Sequence, residues 1–295
     1  MRSLFTKPTI VTVIVFAALG ISLFTFVNWS KKTSEIPPAE NLKDFWPKQK
    51  VIGTSVEGRD ITAYNYGTGE KQILFVGGMH GGYEWNSVLL AYKFMDYLKE
   101  NPNAVPKNLT VTVIPSINPD GVFAVVGKES RFAVEDVSTS QNTLISGRFN
   151  AHKVDLNRNF DCKWKSEGVW KGEIVSAGTK PFSEPESLAL RNFVLENNPE
   201  AVIFWHSQAN AVYASECKVG ILPKTLDIMN AYSTASGYPA VKSFDSYEVT
   251  GDAEGWLASI NIPAITVELK THGTIEWDKN LAGIKAIMLS FQIII

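Results

Sequence analysis

Four residues that suit a metal-dependent hydrolase stand where short apolar runs of this sequence end: His80, Glu84, His206 and Glu268. Continuous apolar runs of this kind are typical of strands buried on both faces of a sheet. An open α/β fold brings the residues that follow its strands to one edge, where its chemistry takes place. His80 and Glu84 are four residues apart, so a helix that begins near His80 would point both side chains the same way.

These residue types predict a catalytic zinc site. Two histidines and one glutamate are an established ligand set, and they leave one coordination position for water. We therefore predict that His80, Glu84 and His206 bind zinc and that Glu268 is the general base for the zinc-activated water. A lone histidine is more often a hydrogen-bonded core or surface residue, but two of the chain's four share this context. The other two are predicted to be ordinary surface or loop residues: His152 and His272.

The remaining patterns predict the elements that must position this site. Apolar runs alternate with amphipathic segments, and Ser183 to Glu186 has the capping residues of a helix start. Strands that alternate with helices predict an α/β fold with a largely parallel sheet. With 295 residues, 45% of them hydrophobic, the chain is long enough for one sizeable domain, predicted over residues 45–295. A net charge of -2 gives no reason to expect nucleic acid as a partner.

The first 44 residues have a different composition. The 18 residues from Ile10 to Val27 carry no charge, and as a helix they would span about 27 Å, close to the thickness of a bilayer core. Trp29 suits the membrane interface, so residues 1–29 are predicted to be an N-terminal transmembrane helix, with a cleaved signal sequence as the alternative. Residues 30–44 are predicted to be a linker. The domain would then lie on the extracytoplasmic side, anchored to the membrane, or be secreted if the segment is cleaved.

The two cysteines, Cys162 and Cys217, leave two interpretations open. They could form one disulfide if the domain faces an oxidising compartment, or they could remain small buried hydrophobic residues. Sequence alone does not place two Cα atoms within bonding range.

The stretches around the predicted site resemble, in order, the motifs of the zinc metallocarboxypeptidase family, the carboxypeptidase A-like enzymes. The resemblance covers roughly residues 45–295. It implies an α/β/α sandwich around a mixed, largely parallel sheet, one zinc ion per chain, and a peptide substrate with a free C-terminal carboxylate. The matching stretches are Gly78 to Glu84, Asn118 to Gly121, Arg148 with Asp155 to Phe160, His206-Ser207, and Thr266 to Leu269.

Four further residues take predicted roles from this resemblance. Arg148 matches the cation that polarises the scissile carbonyl and stabilises its oxyanion. Asn157 and Arg158 match the pair that binds the terminal carboxylate of the substrate, a role that suits the planar guanidinium. Tyr247 is the candidate for the mobile tyrosine that caps the substrate, although simple packing explains it as well. Surface ion pairing is the alternative for both arginines.

One spacing departs from the family pattern. Three residues, not two, separate His80 from Glu84. Because two of them are Gly81 and Gly82, we expect the turn to absorb the extra residue.

The substrate is less well defined by the sequence. Asp252 and Glu254 lie near the expected specificity pocket, where an acid would favour a basic terminal residue or the amino group of diaminopimelate in cell-wall peptides. Solvated loop charges explain them equally well. Two other functions stay open: a zinc-dependent deacylase of small N-acyl amino acids, and an inactive tethered peptide-binding module, against which the presence of Glu268 argues.

Overall fold

The computed structural model describes residues 47–218, 220–244 and 248–292. The predicted transmembrane helix, the predicted linker and Tyr247 lie outside the described residues. Within those residues, no helix combines the length and the apolar character needed to cross a membrane.

The described chain alternates strands with helices, as predicted. The strands are β1 (Lys48–Thr54), β2 (Asp60–Gly67), β3 (Lys71–Val76), β4 (Leu109–Ile114), β5 (Glu167–Trp170), β6 (Glu173–Ser176), β7 (Ala201–Ser207), β8 (Ala211–Ala214), β9 (Glu216–Cys217), β10 (Gly220–Ile221), β11 (Ala240–Val241) and β12 (Ala264–Leu269). The α-helices are α1 (Trp85–Glu100), α2 (Pro119–Val126), α3 (Gln141–Ser146), α4 (Pro185–Asn197), α5 (Pro223–Ser236), α6 (Ala253–Ser259) and α7 (Trp277–Ser290).

Eight of these strands form one mixed sheet in the order β1-β2-β4-β3-β7-β12-β8-β11. Its centre, from β4 to β12, is parallel, as is the pairing of β11 with β8. The pairings of β1 with β2, β2 with β4, and β8 with β12 are antiparallel. The prediction of an α/β fold with a mixed, largely parallel sheet is confirmed.

Both faces of the sheet are covered by helices. Along β3 the buried residues alternate: Ile73 and Phe75 belong to the layer that contains buried residues of α1, α5 and α7. Leu74 and Val76 belong to the opposite layer, which contains buried residues of α4 and α6. Burying one such side chain contributes about 2 kcal/mol, and the two layers hold the central strands from both sides.

A disulfide joins Cys162 to Cys217. Of the two interpretations of the cysteines, the structure therefore agrees with the disulfide. Their Cα atoms lie 6.1 Å apart. Cys162 follows the turn that carries Arg158, and Cys217 ends the short strand β9. The bridge therefore ties two surface segments that are 55 residues apart in the chain.

We expect reduction of this disulfide to destabilise the protein substantially. Closing a loop across 55 residues lowers the entropy of the unfolded chain by an amount worth about 4 kcal/mol. Urea unfolding with and without a reductant measures the difference. The double variant Cys162→Ala/Cys217→Ala is the control, since its midpoint should not respond to reductant. A wild-type midpoint that stays the same under reducing conditions would contradict the expectation.

Candidate metal centre

Three adjacent parallel strands, β3, β7 and β12, bring the predicted residues to one edge of the sheet. His206 is the second-to-last residue of β7, and Glu268 pairs with it in register on β12. His80 follows β3 by four residues, after which a single 3-10 turn over Gly81–Glu84 returns Glu84 toward the same point. The sheet register thus fixes two of these side chains, and one tight turn fixes the other two.

The side chains of His80, Glu84 and His206 converge in the protein interior. Their candidate ligand atoms all lie within 4.8 Å of one another. The Nδ1 atom of His80 is 2.8 Å from Oε1 of Glu84 and 3.1 Å from Nδ1 of His206. The Nδ1 atom of His206 is 3.0 Å from Oε2 of Glu84. All three residues are buried.

The doubled glycine allows Glu84 to reach this point despite the longer spacing. Gly81 has a φ of 46°, and a Cβ atom there would lie 2.5 Å from the carbonyl oxygen of Gly147. A Cβ atom on Gly82 would lie 2.4 Å from the side chain of Val125. Both positions therefore need glycine, because α2 and the chain before Arg148 pack directly against the turn.

Two buried carboxylates face the outer nitrogens of the histidines. Nε2 of His80 lies 3.4 Å from Oδ1 of Asp155, and Nε2 of His206 lies 3.3 Å from Oε1 of Glu254. Outer carboxylates of this kind orient metal-bound histidines and fix their tautomers. Glu254 also accepts a hydrogen bond from the Thr266 hydroxyl. Glu254 is therefore not a solvated loop charge: it is buried, its carboxylate is turned toward His206, and it lines the same cavity.

These contacts shift the pKa values of the buried groups. Burial alone would raise the pKa of Asp155, but the charges of Arg148 and His80 outweigh it and hold that pKa well below its usual value. Burial alone would lower the pKa of His206, but Glu84 and Glu254 raise it well above its usual value. His80 and His206 likewise outweigh burial at Glu84 and lower its pKa. The charges around Glu84 and Asp155 thus keep these two carboxylates ionised.

The geometry fits a zinc ion. The Nδ1 atoms of His80 and His206 face each other at 3.1 Å, beside the ionised carboxylate of Glu84. A cation among them would satisfy both Nδ1 atoms at once, and the outer carboxylates face the opposite nitrogens at 3.4 and 3.3 Å. His80, Glu84 and His206 are the residues that would hold the metal.

Glu268 lies beside this centre and is not part of the ligand group. Its Oε2 accepts a hydrogen bond of 3.2 Å from the backbone nitrogen of Ala209. Burial and the negative charge of Glu84 raise the pKa of Glu268 to about 7.

The two predicted arginines are buried, so surface ion pairing does not explain them. Arg148 donates from Nε and Nη2 to Oδ2 of Asp155, at 3.0 and 2.8 Å. Its Nη1 lies 3.8 Å from Oε1 of Glu84, which places the guanidinium beside the ligand group. Arg158 donates from Nη1 to its neighbour's carbonyl, that of Asn157, and from Nη2 to the carbonyl of Val169. The Oδ1 atom of Asn157 accepts from the backbone of Ala253.

All seven predicted site residues within the described chain line one cavity of about 590 Å³. Tyr247 lies outside the described residues, but its described neighbours Phe244 and Glu248 also line the cavity. The wall also contains residues that were not predicted to belong to the site, among them Tyr83, Trp170, Lys171 and His272.

The prediction that His272 is an ordinary loop residue was wrong. Its Nδ1 lies 2.6 Å from the Ser207 hydroxyl, and its ring packs edge-on against Tyr83. Burial lowers its pKa. The only sequence signal was its position four residues after Glu268. His152, by contrast, lies on the surface, as predicted, beside Glu184.

Comparisons with known proteins agree with this site. A family model described as zinc carboxypeptidase, Peptidase_M14, matches residues 43–282. The gamma-D-glutamyl-L-diamino acid endopeptidase 1 of Lysinibacillus sphaericus is 27% identical over 238 residues, covering 74% of this chain and 59% of the relative. Carboxypeptidase O of Bos taurus is 28% identical over 185 residues, covering 57% and 47%. The chain thus spans about half to three fifths of these curated relatives.

Solved structures show the same fold. The crystal structure of a murein-tripeptide amidase from Escherichia coli O157 superposes with a TM-score of 0.59 at 23% identity, covering 87% of this chain and 97% of that one. The structure of thrombin activatable fibrinolysis inhibitor has a TM-score of 0.65 at 19% identity, covering 90% and 75%. Because the family model spans most of the sequence and the structure gathers a histidine, glutamate and histidine group at the sheet edge, this chain belongs to the zinc carboxypeptidase family.

Proposed function

We propose that this protein is a zinc-dependent peptidase that cleaves the amide bond next to a residue with a free carboxylate, in peptides of the bacterial cell wall. The observation that supports it best is the convergence of three buried ligand side chains beside Glu268, with two buried arginines in the same cavity. Family membership gives the metal and the reaction class, whereas the substrate is the finer part of the proposal.

In this proposal each residue of the site has a separate task. Bound zinc would lower the pKa of a water molecule and polarise the substrate carbonyl. Glu268 accepts the proton of the attacking water and passes it to the leaving amine. Arg148 stabilises the oxyanion, since Asp155 engages its Nε and Nη2 while its Nη1 faces the ligand group.

Asn157 and Arg158 are proposed to bind the terminal carboxylate. Contacts with the backbone of Ala253 and Val169 hold both side chains in place before substrate arrives, which lowers the entropic cost of binding. Tyr247 is proposed to cap the substrate, as the family resemblance implies.

Cell-wall peptides are proposed as substrates for two reasons. The relatives include a gamma-D-glutamyl-L-diamino acid endopeptidase and murein peptide amidase A of Escherichia coli, which is 29% identical over 131 residues. In addition, Asp252 lines the cavity, and burial together with the charge of Glu254 raises its pKa to about 6. A carboxylate in a partly desolvated pocket suits the side-chain amino group of a diamino acid.

The disulfide supports an extracytoplasmic location for the domain, because such bridges form and persist in oxidising compartments. Membrane attachment through residues 1–29 is part of the same proposal. Protease accessibility of the domain in intact cells tests it, and complete protection would contradict it.

We expect the substitution Glu84→Ala to abolish stable zinc binding. It removes one of three ligands, which should cost more than the roughly 10- to 100-fold loss of affinity typical of an outer-shell partner. Zinc content after dialysis, measured by mass spectrometry, is the readout. His152→Ala is the control, since that residue is exposed and distant from the ligand group. Undiminished zinc in Glu84→Ala would remove Glu84 from the ligand set.

The substitution Glu268→Gln should lower kcat by about 10²- to 10⁴-fold, the usual contribution of a general base. Zinc content should not change, because Glu268 is outside the ligand group and glutamine can still accept the hydrogen bond from Ala209. Steady-state kinetics on a lysine-terminated peptide, with and without a chelator, measures this. Glu196→Gln on the surface serves as the control. Activity that survives in Glu268→Gln would assign the base to another group.

The third prediction concerns substrate preference. Wild-type protein should cleave peptides ending in lysine or diaminopimelate faster than those ending in phenylalanine, and Asp252→Asn should reduce that preference about tenfold. Asparagine still caps α6, where Asp252 accepts a hydrogen bond from Gly255, so the fold should persist. A clear wild-type preference for phenylalanine would eliminate the acidic pocket, and faster turnover of N-acyl amino acids would favour a deacylase.

A further inference from the structure

The cavity wall includes a hairpin tip that the proposed mechanism does not use. Strands β5 and β6 are joined by the two-residue turn Lys171-Gly172, with Trp170 paired to Glu173. Both turn residues have positive φ, 51° and 83°. Such turns favour asparagine or glycine at the first position, so turn chemistry does not explain a lysine there.

Aromatic neighbours hold the Lys171 ammonium group in place. Nζ donates a hydrogen bond of 2.8 Å to the hydroxyl of Tyr83 and lies 5.5 Å from the centroid of that ring. It also lies 5.2 Å from the ring of Trp170, which packs edge-on against Tyr83. These contacts limit the conformational freedom of a side chain that is otherwise exposed, so the charge is pre-positioned for a ligand.

Successive residues of the hairpin contact successive residues of the site. The carbonyl of Val169 accepts a hydrogen bond from Arg158, and the ring of the next residue, Trp170, lies 4.6 Å from the Arg148 guanidinium. Lys171 comes next and contacts Tyr83, which immediately precedes Glu84. If the terminal carboxylate of the substrate is at Arg158, the acyl side of the scissile bond extends toward Tyr83 and Lys171.

No carboxylate pairs with Lys171 in the part of the chain that the structure describes. The polar partner found for Lys171 there is the phenol hydroxyl of Tyr83. The nearby guanidinium of Arg148 is already paired with Asp155. Lys171 is therefore a positioned cation at the acyl-side wall without an acidic partner among the described residues.

We propose that Lys171 binds a free carboxylate on the acyl-side residue of the substrate, the residue whose carbonyl is attacked. This inference rests on the proposed function and specifies its substrate class. An α-linked residue with an uncharged side chain has no carboxylate at that place. A γ-linked glutamyl residue does, because its α-carboxylate stays free when the side-chain carboxyl forms the scissile bond. Lys171 would thus select γ-linked glutamyl peptides over ordinary α-linked ones.

Two matched peptides test this proposal. The first is N-acetyl-γ-D-glutamyl-L-lysine, and the second is the same peptide with the α-carboxylate of the glutamyl residue converted to an amide. We expect zinc-loaded wild-type protein to have a kcat/KM about fivefold higher for the first, the size expected of a partly solvated ion pair. Lys171→Met should abolish that ratio by raising KM for the first peptide alone. Lys163→Met, which removes a lysine lining the same cavity, should leave the ratio unchanged.

A binding measurement separates this proposal from the proposed hydrolysis. Calorimetry with zinc-loaded Glu268→Gln, with and without Lys171→Met, reports the affinity for both peptides without turnover. If neither peptide is cleaved but the free carboxylate strengthens binding only when Lys171 is present, the hydrolysis fails and the role of Lys171 stands. Three results would overturn the role of Lys171. The first is equal affinity or equal turnover of the two peptides in protein that retains Lys171. The second is a ratio that survives in Lys171→Met, and the third is no binding of either peptide.

Discussion

The approach of two imidazole nitrogens to one carboxylate in the protein interior is the constraint on which this structure depends. The Nδ1 atoms of His80 and His206 lie 3.1 Å apart, and Glu84 contacts both. Polar groups this deeply buried destabilise a fold unless each has a partner. The surrounding structure brings Arg148, Asp155 and Glu254 close to these groups, so several distant segments of the chain must meet at this point.

The partners form a network in which opposite charges alternate. Arg148 pairs with Asp155, which faces His80, and His80 meets Glu84. On the other side Glu84 meets His206, which faces Glu254, and Glu254 accepts from Thr266. The positive members lower the pKa of Glu84 and Asp155, and the outer carboxylates face the Nε2 atoms of the two histidines. Such a network is sensitive to the loss of any one member, because removing a partner leaves an uncompensated buried charge.

The sequence was sufficient to predict the residues that end strands, because apolar runs and chemistry-bearing side chains are local patterns. His206 and Glu268 followed directly from such runs, and the sheet register then placed them side by side. The burial of Glu254 was not predicted, because it depends on how α6 packs, which no local pattern records. The positions of His272 and Lys171 in the cavity wall were missed for the same reason: both contact Tyr83, which is far from them in sequence. The predictions for residues 1–29 and Tyr247 concern parts of the chain outside the described residues.

The glycine pair beside the metal ligands limits how this protein can diversify. Any side chain at Gly81 or Gly82 would collide with the backbone of Gly147 or with Val125. The two glycines of the turn that presents His80 and Glu84 therefore cannot be exchanged for larger residues to change selectivity. Adaptation to new peptides must instead come from segments that line the cavity and carry no metal ligand. The β5–β6 hairpin is such a segment, and its exposed tip can accept substitutions.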